Sequence, residues 1–136
     1  MGAWGLGVFE NDDAMDWAVD FEHAPSEQSL REAFEAAVAV EDYLERDLGS
    51  YALAAAEVLA AARGQPCRDI PPALRHWAAA NTGIAAPELL AQARAAIERV
   101  TIVDSSEVAE LWATTAAPGD AAGWSTQIEQ LKRRLS

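Results

Sequence analysis

Thirteen consecutive residues, Tyr51-Ala-Leu-Ala-Ala-Ala-Glu-Val-Leu-Ala-Ala-Ala-Arg63, leave this chain few ways to fold. A helix that is apolar on nearly every side has no face to give to water and must be surrounded by other elements. Gly64 follows at once, the residue favoured just past a helix end. The run is shorter than the ~20 apolar residues a membrane span needs, and Glu57 interrupts it. It is expected to be the inner rod of a helical bundle, its alanines letting neighbours approach closely.

The flanking sequence repeats at helical spacing. Ala14, Trp17, Ala18 and Phe21 fall at i, i+3, i+4 and i+7, which predicts a helix from a cap at Asn11 or Asp12 to about His23. Pro25 resets the chain and Ser26 can cap a second helix, with Leu30, Ala33, Phe34, Ala37 and Val38 on its apolar stripe. Gly49-Ser50 reads as a break and a fresh cap before the alanine run. Further stripes carry Leu74, Trp77 and Ala78; Leu89, Leu90, Ala93, Ala96, Ile97 and Val100; and Val108, Leu111 and Trp112. Asp104 and Glu107 have the spacing of a capping box before the last of these. Pro118-Gly119-Asp120 reads as a turn, and Trp124, Ile128, Leu131 and Leu135 form the final stripe. Lys132, Arg133 and Arg134 suit the negative end of that helix. The expected fold class is all-α, a single compact bundle of about six or seven helices over residues 1–136. Residues 1–10 are expected to be extended and packed on the bundle.

Charge is unevenly spread over the 136 residues, whose net charge is −12. Residues 1–50 hold thirteen acids against Arg31 and Arg46, a net of −11, and the remainder is close to neutral at −1. Binding to phosphate backbones needs clustered Lys and Arg, so nucleic acid is excluded as the expected ligand, whereas a basic protein partner fits. The lone Cys67 permits no internal disulfide, and no signal segment or membrane span is apparent, so a cytoplasmic location is expected.

Two places invite chemistry. On the first helix Asp13, Asp16, Asp20 and His23 project at about 0°, 300°, 340° and 280°, one stripe beside the aromatic face. With Asp12 they could grip a cation or an arginine. Glu57, the single charge between Tyr51 and Ala62, needs an arginine or hydrogen bonds to remain charged inside a rod, and Arg75, Arg94 and Arg99 are its candidate partners. Cys67 has neither His nor a second Cys at ligand spacing, so no zinc site or nucleophile is expected, and no phosphate loop or nucleophile elbow is present. No cofactor is implied. The five tryptophans read as core, with Trp4 docking the N-terminal segment.

Two segments have a more particular look: Gly2-Ala3-Trp4-Gly5-x-Gly7-x-Phe9-Glu10-Asn11-Asp12-Asp13-Ala14-x-Asp16-Trp17, and Ala54-Ala55-Ala56-Glu57-Val58-x-Ala60-Ala61. With Leu111-Trp112 they resemble the bacterial domain-of-unknown-function family 4259; Phe21 departs from its pattern, where a smaller aliphatic residue is usual. The resemblance implies a small bacterial protein and transfers no catalytic role. Three functional readings follow. The first is a non-catalytic interaction protein that offers its acidic N-terminal third to a basic partner, as an immunity protein does to a toxin. The second is a metal- or small-ligand-binding enzyme with Asp13, Asp16, Glu57 and His23 around one pocket. The third is structural: Asn11 and Asp12 cap, Trp4 and Phe9 staple, Trp17 belongs to the same structural motif, and Glu57 holds an arginine.

Overall fold

A computed structural model describes residues 7–114 and 117–136. Among them are seven α-helices, two 3₁₀ turns and no strand: α1 (Asp12–His23), α2 (Glu27–Ala39), α3 (Arg46–Ala62), α4 (Pro72–Ala80), α5 (Pro87–Val100), α6 (Glu107–Thr114) and α7 (Pro118–Arg134). The class is all-α, as the periodicity requires. No helix among the described residues is long and apolar enough to cross a membrane.

The rod is where the sequence puts it. Every residue of α3 from Ala52 to Ala62 is buried, and α3 packs against each of the other six helices. It ends as expected, with Gly64 N–H donating to the Ala61 carbonyl and Gln65 N–H to that of Ala60, the paired bonds of a Schellman cap. Around it Leu30 and Phe34 of α2, Leu74 of α4, Leu89 and Ile97 of α5, and Ile128 and Leu131 of α7 are fully buried.

The start of the rod differs from expectation. Gly49-Ser50 is neither a break nor a cap: α3 begins at Arg46 and runs straight through it. Gly49 is instead a point of close approach, because a Cβ there would sit 3.0 Å from Val108 Cγ2 of α6. Glu107 turns away from its expected capping box and accepts a 2.8 Å bond from Arg46 N–H, capping α3 from across the molecule. A parallel bridge pins the same junction: Leu44 N–H donates to Ser105 O, and Glu107 N–H to Leu44 O, both at 2.9 Å. Arg99 adds bonds to the carbonyls of Val40 and Ser105.

Two smaller expectations are also corrected. Pro118-Gly119-Asp120 is the first turn of α7 rather than a turn before it, in keeping with proline's fitness for the first helical position. Val38, placed on the apolar stripe of α2, is 49% exposed in the last turn of the helix, and Val40 just past its end packs against the core instead.

Candidate functional site

The N-terminal motif is a web of short-range hydrogen bonds. Asn11 caps α1: its Oδ1 accepts from Ala14 N–H at 2.8 Å, while its Nδ2 donates to Val8 O at 3.0 Å. The same side chain thus closes the helix and holds the segment before it. Val8 and Phe9 are buried, so the described end of the segment packs on the bundle, while residues 1–6 lie outside the described residues. Phe9 N–H donates to Asp69 Oδ2 in the loop between α3 and α4, and Gly7 N–H to Glu10 Oε1, each at 3.2 Å. A Cβ at Gly7 would displace the Asp69 carboxylate, and with it the bond from Phe9 N–H. Trp4 lies outside the described residues. Asn11→Ala removes both bonds and should lower the free energy of unfolding by about 1–2 kcal/mol, read as a reduced urea midpoint with an unchanged slope.

Beneath this motif is a cavity of about 80 Å³. Gly7, Val8, Asn11, Asp12 and Asp13 form one wall, Arg46, Ser50 and Leu53 of α3 its floor. The far side is Val108, Leu111 and Trp112 of α6 with Trp124 of α7, the two indoles stacked at 6.0 Å between centroids and 10° between planes. At this cavity Asp13 Oδ2 meets Arg46 Nε at 2.8 Å. Both partners are partly exposed, so this pair contributes little to stability.

Glu57 belongs to a different centre. Its carboxylate, 2% exposed, is gripped by both terminal nitrogens of Arg134, Nη1 to Oε1 at 2.7 Å and Nη2 to Oε2 at 3.1 Å. The structural reading that Glu57 holds an arginine is correct; the candidate arginines were not. Arg94 donates to Leu135 O at 2.6 Å and Arg99 to the α3 junction, while Arg134 turns back from the last turn of α7. Arg134 also donates to Gln65 O. Burial works to lower the pKa of its guanidinium, but the hydrogen bonds and charge of Glu57, followed by the Cys67 and Asp69 charges, outweigh it and raise the value.

The sequence did not single out Asp69, which joins this centre from the loop. Burial pushes the Cys67 thiol well above its ordinary range, the charges of Glu57 and Asp69 and a hydrogen bond to Asp69 push it further, and Arg134 opposes them. Cys67 is therefore a protonated thiol at neutral pH and a poor nucleophile.

The carboxylates expected around one pocket are thus divided. Asp12 and Asp13 reach the cavity, Glu57 does not, and Asp16, Asp20 and His23 are exposed on α1. Arg46 and Glu57 stand eleven residues apart on α3, about 16 Å along the axis at 1.5 Å per residue. Among the described residues no group of three or more His, Cys, Asp or Glu could hold a metal ion.

The outer acids frame something else. Trp17 of α1, Ala33 and Ala36 of α2, and Leu48 and Tyr51 of α3 line an open groove of about 270 Å³, with Ser29 and Glu32 on its α2 side. Trp17 is backed by Phe21 in a 5.0 Å stack, and Phe21 meets Trp77 edge-on. The Tyr51 phenol has a raised pKa, first from burial and then from the charges of Asp47, Asp13, Asp16 and Asp20. The acidic stripe of α1 and the start of α3 therefore act on one and the same groove.

Fold and site together define an all-α protein with a motif-built N-terminal cap and an acid-flanked aromatic groove. The model of the family described as Domain of unknown function (DUF4259) matches residues 2–127, and the chain belongs to that family. No match was found among curated proteins or solved structures.

Proposed function

We propose that this is a non-catalytic cytoplasmic protein that binds a basic protein partner through its acidic N-terminal third, in the manner of an immunity protein. The observation that carries the reading is how the acids divide. Asp13 and Glu57, which lie inward, have arginines of their own chain. Asp16, Asp20 and Asp47 are absent from the ion pairs of the described residues, yet all three bear on Tyr51. Carboxylates concentrated without internal cations favour association with a positively charged surface and speed its approach.

The test is capture from the native cell at low salt, identification of what is retained, and rebinding of that protein in pure form. A basic partner released by raised salt is expected. Neutralising Asp16, Asp20 and Asp47 to Asn should weaken its binding tenfold or more, and neutralising Asp104, Asp120 and Glu129 should not. A protein that retains no partner, or retains one indifferently to salt, overturns the proposal.

A further inference from the structure

We infer that the groove between α1, α2 and α3 is the docking site itself, and that its occupant is an amphipathic segment of the partner bearing Lys or Arg beside aliphatic side chains. This rests on the reading of an acid-presenting interaction protein and specifies where and by what chemistry it binds.

The groove has two zones with different demands. Its floor is apolar, made by Trp17, Ala33, Ala36 and Leu48. Its surroundings are acidic: Glu32 lines it, and the exposed Asp16 and Asp20 and the Asp47 carboxylate are near enough for their charges to act on Tyr51 in its wall. A purely ionic ligand would leave the floor wet, and a purely apolar one would face uncompensated carboxylates. A lysine or arginine satisfies both, laying its methylene stem on the floor and its charge among the acids. Trp17 and Tyr51 add ring faces that attract such a cation.

Size points the same way. A volume of about 270 Å³ falls just short of the roughly 300–1,000 Å³ of small-molecule sites. It is suited to anchor side chains projecting from one face of a helix, at the i, i+3, i+4 spacing by which amphipathic helices enter grooves. A second copy of this chain is a poor occupant, since each copy carries −12 and like charges brought together cost several kcal/mol.

The probe is a synthetic amphipathic peptide of Leu and Lys, titrated calorimetrically into the intact protein. Ala36→Arg puts a cation on the groove's own lip, where Ala36 is half-buried, and Ala122→Arg adds the same charge on an exposed part of α7. Both are checked for native helicity by circular dichroism. Ala36→Arg is expected to weaken binding at least tenfold and Ala122→Arg less than threefold. Replacing the peptide's Leu by Ser at constant charge should also cost at least tenfold. Equal losses in the two variants, indifference to the Leu replacement, or no binding by the unmodified protein would each overturn the docking site. If the captured native partner binds the Ala36→Arg variant at full strength, the interaction reading survives and the groove assignment alone fails.

Discussion

Replacing Arg134 with methionine is expected to lower the free energy of unfolding by about 3–5 kcal/mol, the cost of leaving one member of a buried pair without its partner. Glu57 is almost completely enclosed, and Arg134 supplies both of its hydrogen bonds. The variant must keep a carboxylate in an apolar rod, protonate it, or open a path for water. The charge is the problem, so removing it should help: the double variant Glu57→Leu/Arg134→Met is expected to recover most of the loss, since well-packed apolar replacements of buried pairs are often neutral or better. Guanidinium denaturation of the two single variants and the double closes the cycle. A loss below ~1 kcal/mol in the methionine variant, the size of a surface pair, would show that the pair is not effectively desolvated. Failure of the double to recover would place the cost in the bond to Gln65 O or in the arginine's packing instead.

The second large effect is a matter of volume. Ala55 is fully buried in a helix that touches all six others, on the side of α3 roughly opposite Glu57. Ala55→Leu inserts three carbons where neighbouring helices are already in contact, and overpacking of this kind costs about 1–3 kcal/mol. On exposed Ala95 of α5 the same change should stay within about 0.5 kcal/mol. Thermal unfolding of the pair separates crowding from any intrinsic difference between alanine and leucine in a helix. Equal, small effects at the two positions would mean the rod is loosely surrounded.

These two positions also show what was legible in the chain and what was not. The rod, the caps at Asn11 and Ser26, and the C-terminal glycine were readable because each depends on residues within one or two helical turns. Gly49-Ser50 reads as a break because a glycine that admits a neighbouring helix and one that breaks a helix look alike locally; only Val108, distant in sequence, tells them apart. The same holds for Glu107, whose spacing suited its own helix but whose carboxylate serves α3. Glu57 is recognisable as needing a cation, but nothing local chooses among arginines distant in sequence, and Arg134 already suits the negative end of α7. Spacing puts the acids of α1 on one stripe, but whether they share a pocket with Glu57 depends on where the ion pairs sit along α3. Helical periodicity does not encode which residues pair across the bundle, here Asp13 with Arg46 and Glu57 with Arg134. Of these acids, Asp13 lines the motif cavity together with Asp12, while Asp16 and Asp20 are exposed.

The attachment of α7 is lopsided. Its fully enclosed side chains begin at Ile128, Arg134 reaches Glu57 from the last turn, and Arg63 and Arg94 clasp the carbonyls of Arg134 and Leu135. Among the described side chains from Pro118 to Gln127, the attachment is the packing of Trp124 on the core and its stack on Trp112. A strap secured at its far end can peel from its near end while the buckle holds. Trp124 sits on the more lightly held portion and forms part of the cavity wall, so partial release of this helix would break its stack on Trp112 and widen the chamber under the N-terminal motif without disturbing the rod.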